Sequence, residues 1–295
     1  MLSLEHLSDL LAQHREAVTA RVTEFSIDGV RFDFNSRPFI MGVINLSAES
    51  WYRESVCLSA QRAIQRGVAL RAQGAHVVDV GAESTLAHAP RIDNVSQRSQ
   101  LLPVIKGLRE QRIPVSIETY HPSVARDCLQ TGANIINLTG SSGSEEIYRL
   151  IAAHGAAVII CYVQGPNVRD VQDFDFGSDP VQLMSDYFAR QIDLARKCGV
   201  EQIFIDPGLG FYYRNLQDSA VRVRHQMRVF LNSFCLRKLG WPICHALPHA
   251  FEYFGEEVRS AEPFFAVLAA LGKTDLFRTH EVAKTRAVLE TLAAY

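Results

Sequence analysis

The 295-residue sequence lacks several features that would place it in a specialised class of protein. It has no apolar run of 18 residues, so no transmembrane helix is expected. Its N-terminus has neither a basic start nor a long apolar core, so no secretory signal is expected. Its 30 basic and 32 acidic residues leave a net charge of −2, which indicates neither a nucleic-acid partner nor an anionic membrane partner.

The six cysteines form no motif of their own. None lies in a CxxC pair, and their spacing matches no zinc site. Several fall inside apolar runs, which is typical of small buried thiols. We therefore expect reduced thiols and a cytoplasmic protein, because disulfides are rare in that compartment.

Residues 1–35 differ in pattern from the rest of the chain. Apolar residues recur at helical spacing over 3–22, which predicts an amphipathic helix. Two alternating runs flank Asp28-Gly29 over 24–34, and this dipeptide is a strong signal of a β-hairpin. We predict an N-terminal helix and hairpin that cover the bottom of the domain formed by 36–295.

Short apolar runs alternate with helical segments from residue 38 onward. The runs cover 38–44, 75–80, 113–117, 133–137, 156–161, 202–206, 241–244 and 275–278. Helical patterns cover 58–73, 95–111, 121–131, 144–154, 179–198, 215–239, 260–271 and 280–293. Eight such units with fully apolar strands indicate an α/β protein, a (β/α)8 or TIM barrel. The alternative is a doubly wound open sheet, but the sequence has neither a GxGxxG nor a P-loop motif to support it.

Polar residues follow the apolar runs at the points where the strands end. They are Asn45, Asp79, Glu118, Asn137, Asp206, Arg278 and His280. Any one of them could be only a turn former or a helix N-cap. In a barrel, however, these ends meet at one mouth, where the active sites of this fold lie. Carboxylates and carboxamides suit a flat heterocycle with several N–H groups, and the arginine and histidine suit an anion such as phosphate.

Six segments resemble, in the same order, the signatures of the dihydropteroate synthase family. They are IMGVINLSAES (40–50), VVDVGAEST (77–85), SIETYHPSVA (116–125), NIIN (134–137), FIDPGLGF (204–211) and FRTHEV (277–282). The resemblance covers residues 36–295, and it is specific because several independent motifs agree in order and spacing. It implies an enzyme that condenses hydroxymethyl-dihydropterin pyrophosphate with p-aminobenzoate, giving dihydropteroate and pyrophosphate.

The resemblance also implies which residues bind the pterin. Asp206 and Asn137 would hydrogen-bond the aminopyrimidinone edge of the ring. Glu118 stands where the family has an aspartate near the ring, and Asp79 belongs to the same mouth. A carboxylate in such a pocket would stabilise the positive charge that develops on the pterin when pyrophosphate leaves.

A second group of residues is assigned by resemblance to the pyrophosphate and to p-aminobenzoate. Asn45 would help hold the pyrophosphate and Mg2+, and Arg278 and His280 would bind the pyrophosphate as well. Thr85 would lie on the loop that completes the p-aminobenzoate site. The candidate catalytic residues are therefore Glu118, Asp206 and Asn45, with Mg2+ as the cofactor. Members of the family are commonly homodimers, so a homodimer is expected.

The sequence departs from the family pattern mainly on the p-aminobenzoate side of the site. Leu86 and Ala87 stand where the family's loop carries an arginine and a proline. The segment CHALPHAF (244–251) has no counterpart of the family's Ser-Arg-Lys. His245 or His249 either replaces the missing cation or only packs at the strand end.

Other departures change the shape of the pocket. Glu118 is one methylene longer than the family's aspartate. Tyr212 and Tyr213 replace small and basic residues, and they either stack on a ligand or cap the rim of the core.

Three functions remain open at this point. A divergent dihydropteroate synthase predicts Mg2+-dependent pyrophosphate release that requires p-aminobenzoate. A pterin-binding homologue with another acceptor or reaction, such as pterin-dependent methyl transfer, predicts pterin binding without use of p-aminobenzoate. A non-catalytic pterin-binding or partner subunit predicts no turnover. Fold alone does not choose among these.

Overall fold

Two short helices and a hairpin precede the barrel in the computed structural model, which describes residues 2–50, 52–86, 89–177, 179–211 and 213–295. Helix α1 spans Leu4–Gln13, and α2 is a single turn at Arg15–Val18. Strands β1 (Phe25–Ile27) and β2 (Val30–Phe32) form the hairpin. The helix predicted over 3–22 is therefore shorter than expected. The helical conformation ends at Val18. The chain then contacts the barrel, where the Thr23 amide donates to the Gly240 carbonyl at 2.8 Å.

The hairpin turn confirms the prediction made from its sequence. Asp28 and Gly29 both have positive φ, at 52° and 76°, as a two-residue turn matched to the strand twist requires. Arg109 donates to both carboxylate oxygens of Asp28, at 2.5 and 2.6 Å, and so fixes the turn to the barrel.

Eight parallel strands form the barrel. They are β3 (Phe39–Asn45), β4 (Val77–Gly81), β5 (Val115–Thr119), β6 (Ile135–Leu138), β7 (Ala157–Cys161), β8 (Gln202–Asp206), β9 (Cys244–Ala246) and β10 (Leu276–Thr279). Neighbouring strands pair in the order β8-β7-β6-β5-β4-β3-β10-β9. The Ile205 amide donates to the Pro242 carbonyl at 3.0 Å, which joins β8 to the segment entering β9 and closes the ring. The predicted barrel is confirmed, and closure excludes the open sheet.

Helices surround the barrel in the positions that the helical patterns predict, except for the short helix at Phe251–Phe254, which no pattern predicted. They are α3 (Ala60–Gln73), α4 (Asn94–Glu110), α5 (Pro122–Gln130), α6 (Ser144–Ala153), α7 (Pro180–Lys197), α8 (Ser219–Asn232), α9 (Phe251–Phe254), α10 (Ala261–Leu271) and α11 (Val282–Ala293). The pattern over 215–239 resolves into α8 and a 3-10 segment, Ser233–Leu239. Within the described ranges, no helix is both long enough and apolar enough to cross a membrane.

The hairpin covers the end of the barrel at which the strands begin. Phe25, Phe32 and Phe34 pack with Phe39 and Phe204 inside that end, with ring centroids 4.6 to 5.6 Å apart. Sequence predicted this cover from the hairpin's position before the first strand. Because this end is filled by aromatic rings, the polar strand ends at the opposite mouth are where a ligand can enter.

Candidate functional site

A cavity lies at the mouth formed by the carboxyl ends of the strands, and we call it the mouth cavity. Seven of the eight residues predicted for the site line it. They are Asn45, Thr85, Glu118, Asn137, Asp206, Arg278 and His280. Asp79 is fully buried and lies behind this lining, where it contacts two of its members. The topology therefore brings all eight predicted residues together.

Arg278 is held between two carboxylates at the floor of the mouth cavity. Its Nε donates to Asp79 at 2.7 Å, and its Nη2 donates to Glu118 at 2.5 Å. Although burial opposes the charge, Asp79 and Glu118 raise the pKa of Arg278. The remaining bonds of Asp79 come from the Ser116 hydroxyl at 2.6 Å and the Asn137 amide at 3.2 Å. Asp79 thus positions Arg278 and Asn137.

Two carboxylates that do line the cavity are harder to ionise than usual. Burial raises the pKa of Glu118 to about 7, and Arg278 partly opposes that shift. Burial also raises the pKa of Asp206 to about 6. The Gly208 amide donates to Asp206 at 2.7 Å and fixes the orientation of its carboxylate. Near neutral pH both groups can accept hydrogen bonds from a ligand in a pocket poor in water.

His280 is braced by a glutamate that sequence reasoning missed. Glu262, on α10, is 1% exposed and faces Nδ1 of His280 at 2.6 Å. The other carboxylate oxygen accepts the backbone amides of His280 and Glu281, at 2.9 and 3.2 Å. The Tyr52 ring stacks on His280, with centroids 4.4 Å apart. The imidazole is therefore fixed so that Nε2 points toward Asn45, 3.4 Å from its Nδ2.

Asn45 is the predicted ligand of Mg2+. Its side-chain amide donates to the Ser55 hydroxyl at 2.6 Å, which orients the carboxamide. Among the described residues, no group of three or more histidines, cysteines or acidic residues could hold a metal ion. Mg2+ often keeps several waters and takes only one or two protein ligands beside substrate phosphates. The residues therefore fit an Mg2+ ion that arrives with a pyrophosphate, and they do not form a cage for a resident ion.

The loop after β4 is held by an arginine that the sequence analysis did not single out. Arg169, from the loop after β7, donates to the carbonyls of Ser84 at 2.8 Å and Ala89 at 2.6 Å, and also to that of Leu86. Thr85 thereby lies at the cavity wall. Ala87, the other departure in this loop, lies outside the described residues.

The two histidines of the segment 244–251, His245 within β9 and His249 after it, have different positions. His245 is fully buried against Phe230, with ring centroids 4.7 Å apart, so it packs outside the mouth cavity. Burial lowers its pKa to about 3, which keeps it neutral. His249 lines the cavity, but burial and the nearby Arg222 lower its pKa to about 4. Neither histidine therefore supplies a cation near neutral pH.

Two further residues lie on this side of the barrel, and only Arg222 lines the mouth cavity. Tyr213 is 2% exposed, and its hydroxyl accepts the Gln164 amide at 3.0 Å, so it caps the rim of the core. Its neighbour Tyr212 lies outside the described residues. Arg222 on α8 lines the cavity and was missed by sequence reasoning. Its position in the buried register of α8, one turn before Gln226, is the signal that could have revealed it.

Several proteins that are similar to this chain in sequence or fold are dihydropteroate synthases. The model of the family described as pterin binding enzyme matches residues 41–235. A dihydropteroate synthase of Synechocystis is 30% identical over 263 residues, 85% of this chain and 88% of that protein. One from Mycobacterium leprae is 35% identical over 184 residues, 58% of this chain and 62% of that protein. The structure of Xanthomonas albilineans dihydropteroate synthase with 4-aminobenzoic acid superposes with a TM-score of 0.76 at 25% identity, covering 94% of this chain and 98% of that chain.

The buried pair between Arg278 and Asp79 predicts a large loss of stability when one charge is removed. Asp79→Asn leaves Arg278 with Glu118 alone, and we expect the free energy of unfolding to fall by about 3 kcal/mol. Equilibrium unfolding in urea measures this loss. Asp193→Asn is the matched control, because Asp193 pairs with Lys197 on the exposed surface of α7. Equal stabilities of the two variants would contradict the role given to Asp79.

Proposed function

The chain belongs to the dihydropteroate synthase family of pterin binding enzymes. We propose that its mouth cavity joins hydroxymethyl-dihydropterin pyrophosphate to p-aminobenzoate. The observation that carries this proposal is the buried acceptor set on the cavity floor. Asp206 and Asn137 are 3% and 2% exposed, and both face the cavity. Such a set suits the paired N–H groups of a pterin edge, because a carboxylate accepts two of them at once.

The second carboxylate, Glu118, would stabilise the positive charge that develops during the reaction. When the bond to pyrophosphate breaks, positive charge remains on the exocyclic methylene and spreads into the pterin ring. Glu118 and Asp206 are preorganised in a pocket poor in water, where they stabilise that charge more than water would. Arg278 holds Glu118 in place at 2.5 Å and opposes the rise in its pKa that burial causes.

The corner between β3 and β10 would receive the leaving pyrophosphate. Asn45 and His280 meet there, and both are oriented by further bonds, to Ser55 and Glu262 respectively. Glu118 and Asp206 on the cavity floor, with Asp79 behind it, face a single arginine, Arg278. The floor would therefore repel a pyrophosphate that arrived without a counter-ion. Mg2+, with Asn45 as its protein ligand, would supply the positive charge that stabilises the leaving group.

The neutral amine of p-aminobenzoate would attack the methylene, and the loop after β4 would complete the acceptor's site. Thr85 lies at the cavity wall there, on a loop fixed by Arg169. Positioning of the two reactants supplies much of the acceleration in such a displacement, because it replaces a bimolecular encounter.

Quaternary structure and location are also part of the proposal. We propose a homodimer, supported by α10, which leaves Phe264 and Leu271 42% and 52% exposed. A cytoplasmic location is supported by the six cysteines, which are all free thiols. Analytical ultracentrifugation of the purified protein tests the homodimer, and we expect the mass of two chains.

Asp206→Asn tests the proposed pterin contact. The amide presents N–H groups where the carboxylate would accept them, so kcat/KM for the pterin pyrophosphate should fall at least about 30-fold. Pyrophosphate release in the presence of p-aminobenzoate measures this value. Asp9→Asn, an exposed change on α1, serves as the control and should match the wild type. Full activity of Asp206→Asn would rule out the contact.

The pH dependence of activity tests the role of Glu118. Its pKa of about 7 and that of Asp206, about 6, predict that kcat/KM for the pterin pyrophosphate declines as the pH falls below about 7, because protonation removes the negative charge. In Glu118→Gln the plateau value of kcat/KM should be lower. The decline of kcat/KM at acidic pH, the acidic limb, should then occur at about pH 6, the pKa of Asp206. An unchanged limb in this variant would show that another group controls it.

Substitution of Glu262 tests whether the orientation of His280 matters for turnover. Glu262→Ala removes the partner of Nδ1, and kcat/KM for the pterin pyrophosphate should fall at least about tenfold. Glu262→Gln retains an acceptor oxygen and should recover part of the loss. Glu257→Ala, at an exposed glutamate just before α10, is the control. Identical losses in the Gln and Ala variants would contradict an orienting role.

A further inference from the structure

Helix α8 builds the wall of the mouth cavity on the side of β8 and β9, where the family's cation is missing. Arg222 and Gln226 lie one turn apart on α8, and both line the cavity. They are only 8% and 3% exposed. A buried arginine in a cavity wall needs a negatively charged or strongly accepting partner, because an unpaired buried charge is costly.

One edge of the Arg222 guanidinium, formed by Nε and Nη2, has a donor without a hydrogen-bond partner in the part of the chain that the structure describes. Nη1 donates to the carbonyls of Leu216 and Gln217 at the long distances of 3.3 and 3.4 Å. Nη2 donates to both carboxylate oxygens of Glu252, at 3.1 and 2.9 Å. Nε is buried and has no hydrogen-bond partner among the described residues. The Nε–Nη2 edge has the spacing that grips a carboxylate with two parallel bonds.

The counter-ion of Arg222 is held much less firmly than the arginine. The side chain of Glu252 is 46% exposed, whereas that of Arg222 is 10% exposed. Glu252 also lies on α9, a helix of four residues. Water can solvate Glu252 when it turns outward, while the arginine stays in the cavity wall. A second carboxylate can therefore share or replace Glu252 at this edge without leaving a buried charge unpaired.

The position of Arg222 decides which substrate group it can meet. Asn45 and His280, the residues proposed for the pyrophosphate, lie at the carboxyl ends of β3 and β10. Arg222 lies behind β8, and the ring places β9 and β10 between β8 and β3. Asp206 and Asn137 occupy the floor for the pterin. The carboxylate of the acceptor amine is then the remaining anion.

We propose that Arg222 binds the carboxylate of the aromatic amine acceptor and makes this chain selective for anionic acceptors, in place of the missing strand-end cation. The inference rests on the proposed function, because it assumes an aminobenzoate-type second substrate. Glu252 acts as the counter-ion in the absence of acceptor and competes with it for Arg222.

The charge of the acceptor provides the test. Initial rates of pyrophosphate release are measured with p-aminobenzoate and with its uncharged analogue 4-aminobenzamide, for the wild type, Arg222→Met and Glu252→Gln. Arg224→Met is the matched control, because it removes the same charge from an exposed position on α8. Arg222→Met should raise KM for p-aminobenzoate at least about tenfold, and KM for the amide less than about twofold. Glu252→Gln should lower KM for p-aminobenzoate, since it removes the competitor.

The two variants should change KM for p-aminobenzoate in opposite directions, which distinguishes a role in binding from a role in folding. If Arg222→Met raises both KM values equally, or if Glu252→Gln also weakens p-aminobenzoate, Arg222 only supports the fold and the inference is wrong. If the wild type shows no turnover with p-aminobenzoate, the proposed function fails. Titration calorimetry with p-aminobenzoate then tests the inference by itself. Binding to the wild type that Arg222→Met abolishes would support it, and equal or absent binding in both would overturn it.

Discussion

The mouth of this barrel depends on one buried ion network, in which Arg278 bridges Asp79 and Glu118. Removing a charge from water costs several kcal/mol, so a buried arginine is stable only where its carboxylates are close and their other bonds are made. Ser116 and Asn137 make those bonds to Asp79. The network connects the ends of β10, β4, β5 and β6, and it thereby fixes the floor on which a pterin would lie.

The polar groups around this floor would provide two separate sites for anions. At the corner of β3 and β10, Glu262 orients His280 toward Asn45, which suits a leaving pyrophosphate that carries its own Mg2+. On the far side, Arg222 sits behind β8 with an exposed counter-ion. The acceptor's amine would meet the methylene that the pyrophosphate leaves, while its carboxylate would point away from the pyrophosphate toward Arg222. In the proposed arrangement, the chain would keep its predicted pterin and pyrophosphate residues, and the cation for the acceptor would lie on a helix.

Sequence predicted the barrel and most of the site because both depend on local patterns. Apolar runs fix the strands, and closure of the ring brings their polar ends together. Glu262 and Arg169 were not predicted, because each acts through a residue distant in sequence whose position follows only from packing. Arg222 was missed although its place in the buried register of α8 was a signal for it. His245 and His249 show the same limit. They lie on one short segment, yet one packs against Phe230 and the other lines the cavity.

The most direct test of the whole account is to identify the product of the purified chain. The protein is incubated with hydroxymethyl-dihydropterin pyrophosphate and Mg2+, with and without p-aminobenzoate, and pyrophosphate and dihydropteroate are both quantified. We expect pyrophosphate release to require p-aminobenzoate and to match the dihydropteroate formed. Pyrophosphate release that is independent of p-aminobenzoate, or the absence of dihydropteroate, would contradict the account and assign the pterin floor to another use.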